Sequence, residues 1–250
     1  MNSADRVAEL TARLAAVRAR LAHAAEAAGR QVEEIDLLPV TKFFPASDVA
    51  ILWRLGCREF GESRDQEAVT KVVEFDALVP DQTHGKVRWH MVGQIQRNKA
   101  KSVARWADTV HSVDSAKVVA ALDRAAAQAL AAAQRDAPLR VFVQVSLDGD
   151  TARGGIDIAD PDGLDRMCEQ VAEAGSLQLV GLMAIPPVGA DPDTAFARLN
   201  CEHRRILQSF PAATELSAGM TDDLEAAVRH GSTCVRVGTA LMGQRPLTSP

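Results

Sequence analysis

The chain has 250 residues, 47% of them hydrophobic and 24% charged, with a formal net charge of −5. No apolar run approaches the ~20 residues of a membrane-spanning helix. The N-terminus, rich in Arg, Glu and Ala, lacks the pattern of a secretory leader, and mild acidity argues against a surface that binds nucleic acid through phosphates. The aromatic set is seven Phe, three Trp and no Tyr, which excludes any mechanism needing a phenol from this sequence. The four cysteines (Cys57, Cys168, Cys201, Cys234) are far apart and form no CxxC pair. They read as buried small hydrophobes in a reducing cytoplasm, not as disulfides or a zinc site.

Residues 4–28 repeat apolar positions at helical spacing (Val7, Leu10, Leu14, Val17, Leu21), with Gly29 as a C-terminal stop. Residues 35–41 form a nearly continuous apolar run that suits a strand buried on both faces. Helix is then predicted over 46–55, strand over 59–61, helix over 65–75, strand over 88–92, helix over 98–106 and strand over 109–112. A long Ala-rich helix follows over 115–134, then strand 140–146, helix 161–174, strand 178–184, helix 192–210, strand 215–217, helix 221–230 and strand 234–237. Alternation of this kind means parallel strands with helical crossovers. Eight such strands predict a single (β/α)₈ barrel with an extra N-terminal helix, one domain spanning residues 1–250. The competing arrangement is an open doubly wound sheet, weakened because no Gly-rich dinucleotide or phosphate loop follows an early strand. Segments 80–86 and 148–155 read as polar loops.

In a barrel, chemistry sits at the C-terminal ends of the strands. Lys42 ends the most apolar strand, and alternation puts it on the same face as Leu38 and Val40. A low-dielectric wall there favours a neutral, nucleophilic amine; the other reading is a rim lysine whose amine reaches water. Arg236 stands on the last strand between two valines that face the other way. Turned inward it needs an anion or a strong acceptor, and Glu62 or Glu215 could pair with it. Phosphate is often held by the loops after strands 7 and 8, here Ser217-Ala218-Gly219-Met220-Thr221 and Gly238-Thr239-Ala240. Hydroxyls and backbone N–H groups at a helix start bind phosphate, or merely cap the helix. With a lysine opposite, the pattern suggests a phosphorylated carbonyl ligand. His90 lies on the third strand. The remaining histidines, among them His84 and His111, show no metal-ligand spacing, so no metal is expected.

Several ordered motifs are shared with one family: Val40-Thr41-Lys42, Phe60-Gly61-Glu62, Trp89-His90 with Gly93, Gln96 and Asn98-Lys99, and Gly181-Leu182-Met183 with Ile185-Pro186. Leu216-Ser217 with Gly219-Met220 and Gly231-Ser232-Thr233 with Val235-Arg236-Val237-Gly238-Thr239 complete the series. The chain resembles the pyridoxal phosphate homeostasis proteins from about residue 5 to residue 246. The resemblance implies a barrel similar to the N-terminal domain of alanine racemase, carrying pyridoxal 5′-phosphate (PLP) as a Schiff base on Lys42. It implies Ser217, Gly219 and the backbone at Gly238 and Thr239 around the phosphate, Arg236 at the pyridine nitrogen, and His90 and Ser63 nearby. It further implies a cytoplasmic PLP carrier without clear turnover, possible traffic with other B6 vitamers and acceptor enzymes, and no nucleic-acid or membrane partner. Departures from the family pattern are Ser63 for Asn, Gln94 for Pro, Arg153 for Lys and Ala218 for Met. Arg153 neither forms an imine nor gives up a proton readily.

The alternative is a PLP-dependent racemase. An arginine donates to the ring nitrogen without protonating it, so the ring is a shallow electron sink. Racemases of this fold compensate with a second base, a tyrosine from another domain; no tyrosine occurs in this sequence. Lacking the racemase dimer contact, the chain is expected to be a monomer.

Overall fold

A computed structural model describes residues 3–81 and 85–244. Residues 82–84 of the expected loop 80–86, including His84, lie outside the described residues. Helix α1 (Ser3–Ala27) comes first. It is followed by β1 (Asp36–Pro39), α2 (Ala46–Arg54), β2 (Glu59–Glu62), α3 (Asp65–Leu78), β3 (Arg88–Met91), α4 (Ala100–Trp106), β4 (Thr109–Val113), α5 (Ala116–Ala131) and β5 (Leu139–Ser146). The second half runs through β6 (Ile156–Asp157), α6 (Pro161–Glu173), β7 (Leu177–Ala184), α7 (Pro192–Ser209), β8 (Glu215–Ser217), α8 (Leu224–Arg229), β9 (Cys234–Val237) and α9 (Thr239–Met242).

The strands pair in parallel in the order β1-β9-β8-β7-β5-β4-β3-β2. The two ends of this path meet: Val40 bridges Gly61 in parallel, and Thr41 N donates to Gly61 O at 2.9 Å. That contact closes the sheet into the expected barrel and removes the open-sheet alternative. One strand and one α-helix were not anticipated. β6 pairs with β5 at Val145↔Ile156, so the end of the polar segment 148–155 runs into a short side strand. α9 turns back directly after β9.

The main core lies between barrel and helices. Leu10, Leu14, Val17 and Leu21 of α1 are all buried, at i, i+4, i+7 and i+11, and each contributes roughly 1.5–3 kcal/mol by leaving water. This stripe packs α1 on α2, α8 and α9. Val7, expected in the stripe, is 41% exposed. Arg6, one residue earlier, makes the inward contact instead, donating to Asp48 Oδ2 at 2.6 Å and to Met242 O at 3.0 Å. Cys57, Cys168 and Cys234 are buried as expected, and all four cysteines are free thiols. Cys201 is exposed, because the buried face of α7 runs through Phe196, Leu199, His203 and Ile206 and leaves position 201 off it.

The barrel interior is polar for a packed core. Phe142, Val180 and Met183 form a small apolar cluster of their own. Below them, Glu59 pairs with Arg88 and Glu215 with Arg140. Alternation brings Leu38, Gly61, His90, His111, Phe142, Ser217 and Arg236 to this inner space.

Candidate functional site

Three neighbouring strands build the mouth. β1 pairs with β9 at Leu38↔Arg236 and Pro39↔Val237, and β9 pairs with β8 at Ser217↔Cys234. The loops after β8, β9 and β1 therefore emerge side by side. Lys42 follows β1 and is exposed, which matches the rim reading of its position. Its Nζ lies 5.9 Å from the centre of the Phe43 ring, and the Arg64 guanidinium covers the same ring at 5.0 Å. Phe43 has φ 68°. A non-glycine residue in the left-handed region costs about 1–3 kcal/mol and persists only where its surroundings impose it. Here it turns the chain sharply away immediately after the lysine.

The strand end is clamped from behind. Thr41, fully buried, donates through Oγ1 to Glu62 Oε1 at 2.6 Å. Lys71, 5% exposed on α3, donates to the same Oε1 at 2.5 Å and to Thr41 O at 2.8 Å. Burial pushes the Glu62 carboxyl up, and the Lys71 ammonium and both hydrogen bonds pull against it. Glu62 is thus spent on Lys71 and Glu215 on Arg140. Neither is the partner of Arg236.

Arg236 is 5% exposed. Its Nη1 donates to Ser217 Oγ at 2.5 Å and its Nη2 to Ala184 O at 3.0 Å. Burial holds its pKa below the usual guanidinium value. Ser217 Oγ lies 2.9 Å from His111 Nδ1, and His111 Nε2 lies 2.9 Å from His90 Nδ1. β4 and β8 are not neighbours in the sheet, so this line of contacts crosses the barrel interior. His111 stacks on Phe142 with ring centres 4.5 Å apart. Burial keeps both imidazoles neutral: His90 falls to about 4, and His111 well below its ordinary value, helped by the neighbouring His90 and then by the charges of Arg236 and Arg140. His90 Nε2 makes no hydrogen bond but lies 3.3 Å from Glu59 Oε2.

The remaining expected residues sit higher. Gly219 has φ 89°, and its carbonyl accepts the Arg236 N–H at 3.0 Å, so the β8 loop turns tightly over β9. A Cβ placed on Gly238 would meet only Val40, at 3.8 Å or more, which leaves open space for a ligand beside the first turn of α9. The first N–H groups of a helix have no intrahelical acceptor. Thr239 is exposed there. Ser63 follows β2 and lines a cleft of about 200 Å³ with Met91, Gln94, Gln96 and Lys99. A Cβ on Gly93 would collide with the Ser63 carbonyl, so only glycine permits these two loops to touch. Arg153 stands on the β5–β6 connection, exposed and paired with Asp148 at 2.5 Å. A larger cleft of about 530 Å³ lies outside the barrel, bordered by Arg6, Phe44, Asp48 and Met242, and holds no expected site residue.

Two functional side chains went unnoticed in the sequence. His111 was grouped with histidines lacking metal spacing, and Lys71 lies in the helix expected over 65–75 with nothing in the sequence to set it apart. Their role depends on partners at distant positions. Among the described residues no group of three or more His, Cys, Asp or Glu side chains is placed to hold a metal, and no helix is long and apolar enough to cross a membrane.

A lysine at the mouth, a donor-only arginine one layer below and glycine loops on adjacent strands fit a phosphorylated aldehyde cofactor. A closed parallel barrel with this seam is the architecture of the alanine racemase N-terminal domain, whose family description matches residues 12–246. The pyridoxal phosphate homeostasis protein of Mycobacterium tuberculosis H37Rv is 63% identical over 249 residues, covering 98% of this chain and 96% of that protein. The chain belongs to the pyridoxal phosphate homeostasis protein family. PipY of Synechococcus elongatus PCC7942, solved with PLP bound, superposes with a TM-score of 0.76 at 31% identity, over 94% of this chain and 100% of that one. Alanine racemase of Clostridium difficile 630 shares the fold alone, with a TM-score of 0.63 at 15% identity, over 97% of this chain and 57% of that one.

Proposed function

We propose that this protein binds PLP at the barrel mouth and contributes to PLP and vitamin B6 homeostasis as a cytoplasmic carrier. The observation that carries this reading is the convergence of Lys42, Arg236, Gly219 and Gly238 on three neighbouring strands. Family membership and the PLP-bound relative support it. When bound, PLP supplies an aldehyde that an amine captures and a ring that withdraws electrons. Lys42 is the amine placed to hold that aldehyde carbon. Arg236 donates to the ring nitrogen, and because a guanidinium keeps its own protons, that nitrogen stays unprotonated. Gly219 and the Gly238–Thr239 start of α9 take the phosphate through backbone N–H groups. Ser63 borders the ring side from the β2 loop. Ser217, whose hydroxyl is committed to His111 and Arg236, and His90, one step deeper, act through Arg236.

The donor-only arginine and the absence of tyrosine from this sequence favour holding and releasing the cofactor over racemisation. The carrier works as one domain and as a monomer, and hands its cofactor to PLP-dependent acceptor enzymes or exchanges it with other vitamers. Borohydride reduction of the PLP-loaded protein, followed by peptide mass mapping, should label Lys42; a label on any other lysine overturns the assignment. Deuterium uptake at Cα of amino acids should not exceed the rate with free PLP; a clear excess would establish the racemase-like alternative.

A further inference from the structure

The polar line through the barrel has one direction, and its upper end fixes that direction. At the upper end Arg236 has donors only, so Ser217 Oγ accepts from it at 2.5 Å. The serine then has one proton to place, and His111 Nδ1 is the acceptor 2.9 Å away. A neutral His111 that accepts at Nδ1 carries its proton on Nε2, which faces His90 Nδ1 at 2.9 Å. His90, accepting at Nδ1, carries its own proton on Nε2, which makes no hydrogen bond and lies 3.3 Å from Glu59 Oε2.

The lower end is compatible with that direction: Glu59 is paired with Arg88 and lies beside the nitrogen that carries the His90 proton. In the reverse polarity both Nδ1 atoms would donate upward and the Ser217 proton would turn to the Cys234 sulfur beside it, a weaker acceptor than an imidazole nitrogen. A doubly protonated histidine is disfavoured first by burial and then by the nearby Arg236, Arg140 and Arg88 charges.

We infer that His90 and His111 are positioning residues that act through Ser217: held as neutral Nε2–H tautomers, they orient the serine hydroxyl away from Arg236 and so lock the guanidinium with one edge on Ser217 and Ala184 and the other free for the mouth. The inference deepens the PLP reading, since the free edge is the one assigned to the ring nitrogen. It also accounts for a barrel that fills its centre with imidazoles instead of aliphatic side chains. Without the histidines the serine proton is free to rotate, and Arg236 loses its single orientation.

Long-range ¹H–¹⁵N spectra of the cofactor-free, uniformly ¹⁵N-labelled protein read the tautomers directly. Both His90 and His111 should be neutral at pH 7 with the proton on Nε2. A proton on Nδ1 of either ring, or a cationic ring, overturns the inference whether or not PLP binds. Ser217→Ala should leave His111 a mixture of tautomers; a His111 that keeps a single tautomer counts against the serine link. PLP titration supplies the second readout. His111→Leu should weaken PLP binding at least tenfold and shift the absorption band of the bound cofactor, whereas His111→Asn, which keeps an acceptor for Ser217, should stay within about threefold of wild type. Equal losses in both variants, with unchanged tautomers, would reduce His111 to a packing role. If the tautomers are as expected but PLP does not bind at Lys42, the relay stands and the PLP reading fails.

Discussion

Replacing His90 by Gln should remove a measurable part of the protein's acid sensitivity. In the folded chain burial lowers the His90 pKa from 6.5 to about 4, reinforced by Arg140 and Arg88 and opposed by Asp108 and Asp36. In the unfolded chain it returns to about 6.5. Between those values the unfolded state binds a proton that the folded state does not, so stability rises with pH. The contribution is present above pH 6.5 and is lost as pH falls toward 4. From pH 7 to pH 5 His90 alone removes about 2 kcal/mol of stability. His111, lowered for the same reason, acts in the same direction. Urea unfolding of wild type and His90→Gln at pH 5, 6 and 7 reads the term by difference, together with any change it causes in the neighbouring His111. Between pH 5 and 6 the wild-type slope should exceed the variant slope by about 1 kcal/mol per pH unit. Equal slopes would mean that His90 is not held neutral in the fold, and the account of the barrel interior would be wrong.

Lys71→Met should cost about 3–5 kcal/mol, because it leaves the fully buried Glu62 carboxylate without its cation, and the double variant with Glu62→Leu should recover most of the loss. Thermal melting would show the single variant roughly 6–20 °C lower; a shift of a degree or two would contradict a buried ion pair. Gly93→Ala drives a methyl into the Ser63 carbonyl and should cost about 1–3 kcal/mol while weakening PLP binding through the displaced β2 loop. Unchanged melting and binding would show that these loops can separate freely. Phe142→Ala removes a side chain 1% exposed and stacked on His111, so urea unfolding should report a loss of about 3–5 kcal/mol; a loss below 1 kcal/mol would argue that the interior collapses around the gap.

Strand positions were well marked in the sequence, because strands buried on both faces read as short apolar runs between helical patterns. Residues 215–217 and 234–237 coincide with β8 and β9. β6 was missed because two residues carry no periodicity, and its pairing with β5 depends on how the preceding loop folds. The helix expected over 221–230 begins at Leu224, since residues 221–223 form a turn in which Asp223 accepts from Met220 N at 2.5 Å. Lys42, Arg236 and the glycine loops could be located because barrel geometry says where function sits. The partners of Arg236 could not: a carboxylate was the natural expectation, and the structure supplies a serine and a carbonyl. Lys71 and His111 were illegible for a related reason. A buried cation or imidazole looks like a surface one until the residue that satisfies it is known, and here those residues lie 9 and 106 positions away.

The site straddles the seam where the last strand meets the first. Leu38 lies opposite Arg236, so the two sides of the pocket come from opposite ends of the described chain and join only through a very long loop closure. No early folding fragment can contain both Lys42 and Arg236, and partial barrels have nothing with which to grip a ligand. Any ligand held across this seam binds only the closed form, and it stabilises that form in proportion to the logarithm of its concentration over its dissociation constant. Cofactor supply would therefore be registered in how much intact protein accumulates as well as in how much is loaded.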